Sequence, residues 1–230
     1  MGDDVKTRPT APTGTGYVRG LYRLDHLTGE AAEAYERFFF SLVDNHAKDG
    51  LDILLGRSAA AWDNHSRTAW SQFVLGMLFR NPERIAATRK FIEDFLLEDT
   101  GKHQSDYEAQ KKSGDPDYLE YLVRNVAYST IDWTKGMLLS QSLGQHMNNM
   151  LWSVRDVSDG GLKLFTSDRP VVMTNGLGYD WSNLVMPISP TKAFIATNSR
   201  ERHQEIHAMR TTEFTIKCNE KVLRLSLIHI

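Results

Sequence analysis

A single cysteine in 230 residues, Cys218, rules out an intrachain disulfide and fits a reducing compartment, so a cytoplasmic setting is the expectation. Charge of one sign is also scarce. Lys and Arg number 27 against 29 Asp and Glu, a formal net charge of -2, which supplies no strong pull toward nucleic acid or an anionic membrane. Long apolar runs are missing as well: Phe38-Phe39-Phe40 is far short of the ~20 residues that a membrane span requires, so no membrane crossing is expected. Residues 1–20 carry Asp3, Asp4, Pro9 and Pro12 without an apolar centre. No signal peptide is expected there, and residues 1–16 read as a flexible arm.

What remains is an ordinary globular composition, 41% hydrophobic and 24% charged, enough for a sizeable core. Tyr17 to Asp25 reads as one short strand before a turn at Thr28-Gly29. From Glu30 to Leu55 the apolar residues Ala34, Phe38, Leu42, Val43, Ala47 and Leu51 recur at helical spacing, with Gly50 the weak point. A second helix is predicted over Ser66–Phe79, burying Trp70, Phe73, Val74, Met77 and Leu78. Asn81-Pro82 supplies a cap and a first-turn proline for a third helix to Leu97. Glu98–Gly114 is polar and reads as an exposed link or a frayed helix end. Asp115-Pro116 repeats the cap-and-proline signal for a helical region reaching about Met150, bent at Gly136 or Gly144.

The pattern then changes. Leu151–Val157, a Ser158-Asp159-Gly160-Gly161 turn and Leu162–Thr166 carry the signature of a β-hairpin. Short strands follow at Val171–Met173, Leu184–Ile188 and Ala193–Thr197. Helices first and strands after give an α+β fold, a mainly helical N-terminal two-thirds packed on a small, largely antiparallel C-terminal sheet. Residues 17–224 are expected to form one domain.

Chemistry has few places to sit. In Thr166-Ser167-Asp168-Arg169-Pro170 a strand end runs into a charged turn, and Asp168 is the candidate catalytic residue. It has three possible roles: capping the turn, pairing with a cation, or projecting from the sheet rim as a metal ligand or general base. The first two are the commoner use of Ser-Asp before Pro. Ser167 has no Gly-x-Ser-x-Gly elbow around it. Ser189-Pro190 reads as turn chemistry after a strand. Glu36, Asp44, Asp49 and Asp52 read as surface carboxylates. Of the eight histidines, His203 and His207 alone have a four-residue spacing. Gln204 stands where His-Glu-x-x-His has its glutamate, so a solvated polar face is the better reading than zinc. The five tryptophans read as core or interface residues, Trp181 being a candidate for exposure. No Walker string or dinucleotide loop is present, and the sequence designates no cofactor, no metal-ligand set and no partner.

The Glu36–Leu55 helix, Phe79-Arg80-Asn81-Pro82, Trp152, Phe165 to Val172, Pro187-Ile188-Ser189-Pro190 and Asn219 together resemble the uncharacterised bacterial family catalogued as domain of unknown function 4238. The Thr-Ser-Asp-x-Pro string is its most specific part. A His-Tyr-Val-Pro-like string typical of the family's start is absent ahead of Tyr17. At the other end, Leu225-Ser226-Leu227-Ile228-His229-Ile230 resembles a translated transposon-end adapter. Residues 225–230 are therefore expected to be non-native, the chain a fragment, and Lys221–Arg224 poorly anchored in a helix starting near Asn219. Two functions compete: a binding or regulatory protein, and a hydrolase, metal-dependent or not, acting through Asp168.

Overall fold

Asn81-Pro82 marks one helix start, and apolar runs bounded by Asn, Ser and Pro mark two of the strands. The computed structural model describes residues 46–226 apart from 80 and 99. In order they form α1 (helical over 46–55), α2 (Asn64–Phe79), α3 (Pro82–Glu98), α4 (Thr100–Gln110), α5 (Tyr118–Leu138), α6 (Gln141–Asn149), β1 (Leu151–Asp156), a 3-10 turn (Ser158–Gly160), β2 (Val172–Thr174), β3 (Asn183–Ser189), β4 (Lys192–Thr197), α7 (Arg200–Ala208) and α8 (Thr211–Leu225). The class is α+β. The predicted strand at 17–25, the arm at 1–16 and the front of the 30–55 helix lie outside the described residues. No helix among the described residues is long and apolar enough to cross a membrane.

The described chain clusters into two compact units, residues 79–140 and residues 46–78 with 141–226. In the first, Asn81 Oδ1 accepts the Arg84 N–H at 3.0 Å, the predicted cap, and α3 buries Ile85 and Ile92. α3 packs chiefly on α5, which buries Leu122, Val126 and Ile131. The expected link at 98–114 is instead largely α4. That helix is mostly exposed, and Tyr107 anchors it by ring contacts with Tyr118 and Tyr121 and by donating to Pro116 O at 2.8 Å. The cap of α5 is Asp117, whose Oδ1 accepts the Glu120 N–H at 2.7 Å, while Asp115 closes the preceding turn on the Lys112 N–H. Neither Gly136 nor Gly144 is the break. The helix ends at Leu139, whose N–H bonds Lys135 O and Met137 O, and α6 begins two residues on. Trp133, expected in the core or at an interface, is half exposed beside Phe91.

The second unit is built on a four-stranded antiparallel sheet of order β1-β4-β3-β2. The expected 151–166 hairpin does not form. β1 pairs with β4, Ser153 opposite Ile195, and residues 162–166 are not a strand. The local hairpin is β3–β4, turning at Pro190-Thr191 with an irregularity between Pro187 and Ser189.

Both faces of this sheet are covered. On one, Phe194 meets Trp70 and Trp152 at ring distances of 5.5 and 5.3 Å, and Trp62 packs on Trp152. Gly50 lets α1 approach: a Cβ there would stand 3.2 Å from Trp70 Cβ. Arg67 fastens this layer, donating to Asn148 O and Met150 O with its guanidinium 3.8 Å from the Trp152 ring. On the other face, Val172, Val185, Ala193 and Ile195 form one core with Ile206 of α7 and Phe214, Cys218 and Val222 of α8. Burial pushes the Cys218 thiol up to about 11, which keeps it protonated and inert. α8 begins at Thr211, not near Asn219, and Val222 is fully buried. The expectation that residues 221–224 are poorly anchored is therefore overturned at Val222. Leu227 to Ile230 lie outside the described residues.

Candidate functional site

Backbone groups that belong to no helix or strand need partners elsewhere, and residues 162–171 find theirs at one corner of the sheet. The Leu164 N–H donates to Pro190 O at 2.9 Å, in the β3–β4 turn. Asn219 of α8 takes the two groups on either side: its Nδ2 donates to Lys163 O and its Oδ1 accepts the Phe165 N–H, both at 2.8 Å. A primary amide presents one donor and one acceptor much as a peptide group does, so Asn219 acts as a single rung of a ladder. The turn is tied a second time through Thr191 O, which accepts the Val157 N–H at 2.8 Å. Three stretches far apart in sequence, 163–170, 189–191 and Asn219, thus meet.

Within that corner Thr166 is exposed, and Ser167, Asp168 and Pro170 are half-buried. Ser167 Oγ accepts the Arg169 N–H at 3.1 Å, so the serine closes the turn. Ser226 Oγ donates to Asp168 Oδ1 at 2.8 Å, joining the motif to the end of α8. After Pro170 the chain dives, with Val171 and Val172 both buried. Ser189 Oγ accepts the Thr191 N–H at 3.2 Å, as turn chemistry predicts, and Pro190 is exposed. Asn219→Ala is expected to lower stability by about 1 kcal/mol, because both bonds it loses are solvent-accessible. Urea denaturation with an unchanged slope checks it.

A second cluster, expected on a solvated polar face, lies between α7 and the polar end of the sheet. His203 Nδ1 stands 3.1 Å from Thr197 Oγ1, and His207 Nε2 stands 2.8 Å from Ser153 Oγ. The two rings are 4.8 Å apart. Partial desolvation holds both imidazoles below their ordinary value although His207 is exposed and His203 half-buried, and for His207 the neighbouring His203 and Arg155 add to it. Arg202 extends the cluster, donating to Asn183 Oδ1 at 2.9 Å and pairing with Glu205, while Thr174 donates to the same Asn183 oxygen. Arg155, buried in β1, donates to Ile206 O and Met209 O and lies over the Phe214 ring. Ser199, which caps α7 by accepting the Arg202 N–H, was the local sign that these histidines sit on a helix. No three His, Cys, Asp or Glu side chains gather as a metal ion would require among the described residues.

A third feature is an ordered loop, 175–182. Asn198 Nδ2 donates to Leu177 O and Tyr179 O at 2.7 Å each, and His146 Nε2 lies 2.6 Å from Leu177 O. Asn175 occupies the left-handed region at φ 64, with Gly176 following it there. Held this way, the loop exposes Tyr179 and Trp181 to solvent, as expected for Trp181.

No curated protein and no solved structure matches the chain. The model of the family described as protein of unknown function (DUF4238) matches residues 2–226, nearly the whole length. The chain belongs to that family.

Proposed function

We propose that this chain is a cytoplasmic binding or regulatory protein, in which the Thr-Ser-Asp-x-Pro corner is a latch and not a reaction centre. The observation that carries the reading is the use to which the corner puts its polar groups. Asn219 brackets Lys163 and Phe165, and Ser167 is spent on the Arg169 N–H. A hydrolase acting through Asp168 would need a further carboxylate or histidine in reach of the same reacting atom. A binding surface is on offer elsewhere: Tyr179 and Trp181 are large apolar contacts on a loop already held in place, which lowers the ordering cost of association.

Asp168→Asn separates the two readings. The expected result is a loss of about 1 kcal/mol in stability and no divalent-cation-dependent turnover of phosphodiester or ester substrates by either protein. Cation-dependent turnover by the parent chain that Asp168→Asn abolishes, with the melting temperature preserved, would overturn the proposal.

A further inference from the structure

The polar layer under α7 sets two rings against sheet hydroxyls and near Arg155 and Arg202, and among the described residues no carboxylate is hydrogen-bonded to either ring. His203 and His207 lie 4.8 Å apart on one side of the helix, each against a hydroxyl of the sheet. The charged groups around them can be named element by element. β1 contributes Arg155, whose guanidinium sits beneath the end of α7 on Ile206 O and Met209 O. β3 and β4 contribute Asn183 and Thr197, neither charged. α7 itself carries Arg200, Glu201, Arg202 and Glu205, of which Arg202 and Glu205 pair at 2.6 Å. α8 meets Ile206 through Phe214, Cys218 and Val222, and its Glu213 and Lys217 pair with each other at 2.7 Å.

We propose that α7 is an acid-released element, docked on the sheet while His203 and His207 are neutral and leaving it when they take up protons. Two imidazolium ions at this separation repel each other, and His207 then also faces Arg155. Among the described residues little else holds the helix. Ile206 is its one buried side chain, so the hydroxyl contacts, the Arg202–Asn183 bonds and the Arg155 fork are the remaining attachments. The direction of the effect follows from linkage. Both rings in the docked helix titrate below the ordinary value of 6.5, so the released helix binds protons first as pH falls. Docking is complete above about 6.5 and weakens progressively below it.

Hydrogen exchange read by mass spectrometry on the full chain, at about pH 7.5 and about pH 5 with intrinsic rates corrected, tests this. The expected result is that peptides spanning residues 200–208 lose protection about tenfold or more on acidification while peptides from α2 keep theirs. A double variant, His203→Asn with His207→Gln, keeps amide groups near the Nδ1 and Nε2 positions but cannot titrate in this range, so its α7 protection should be flat with pH. Acid loss of protection that is uniform across the parent chain, or that persists in the double variant, overturns the proposal. If the variant does not fold, the comparison of α7 with α2 in the parent chain still decides.

Discussion

Trp70→Ala is expected to destabilise the sheet unit by about 3–5 kcal/mol, the largest effect of any single substitution considered for this chain. Trp70 is 1% exposed and reaches three neighbours at once: Phe194 across the sheet face, Phe73 within α2, and the backbone of α1 at Gly50. Its removal opens a cavity that rigid secondary structure on both sides cannot close, since Phe194 is anchored in the second-to-edge strand and α2 is held by Arg67. Trp70→Phe is the informative control. It keeps an aromatic ring against Phe194 and removes an indole N–H that finds no acceptor among the described residues, so it should cost distinctly less than the alanine. Urea denaturation of the three proteins measures both steps; equal losses for Ala and Phe would show that the indole's extra volume, not the ring contact, is what matters.

Arg155→Met should cost about 2–4 kcal/mol through a different mechanism. Arg155 is 7% exposed, and its guanidinium closes two carbonyls, Ile206 O and Met209 O, at the end of α7 while covering Phe214. Methionine keeps most of the stem's packing but leaves those acceptors without their donor, so the loss reports chiefly on hydrogen bonding. Arg155→Lys should rescue little, because an ammonium cannot span two carbonyls as the planar fork does. The reading fails if lysine restores full stability, or if the methionine variant melts with the parent chain.

Where sequence reasoning succeeded, the signal was local. Asn81 caps α3 through a side chain three residues from its partner, and β3 and β4 are apolar runs bounded by Asn, Ser and Pro. It failed where a local signal competed with a distant partner. Ser158-Asp159-Gly160-Gly161 carries turn chemistry and does form a turn, but β1 finds its mate in β4 because the sheet's covered interior lies there. The Asp115-Pro116 signal pointed two residues short of the cap, which is Asp117. α7 was hidden for a compositional reason: it buries one side chain, so it has no stripe to read. α8 does have one, Phe214, Cys218 and Val222 at four-residue steps. As for the candidate site, the residues of the Thr-Ser-Asp-x-Pro corner were nameable, but the role of Asn219 was not, since a side chain standing in for a strand leaves no periodicity behind.

The double coverage of the sheet changes what fixes strand alignment. In a half-exposed sheet a one-residue slip is forbidden by polarity, because it drives apolar side chains into water. In β4, Ala193, Phe194, Ile195, Ala196 and Thr197 are all buried, so a slip would exchange one covered face for another. Hydrophobicity is nearly blind to it. Size is not: Phe194 packs between Trp70 and Trp152, while Ala193 and Ile195 lie in the layer against α7 and α8. Alignment here is written in side-chain volume, so exchanging Phe194 with Ile195 would leave composition and hydropathy untouched and still remove the reason for β4 to stop where it does.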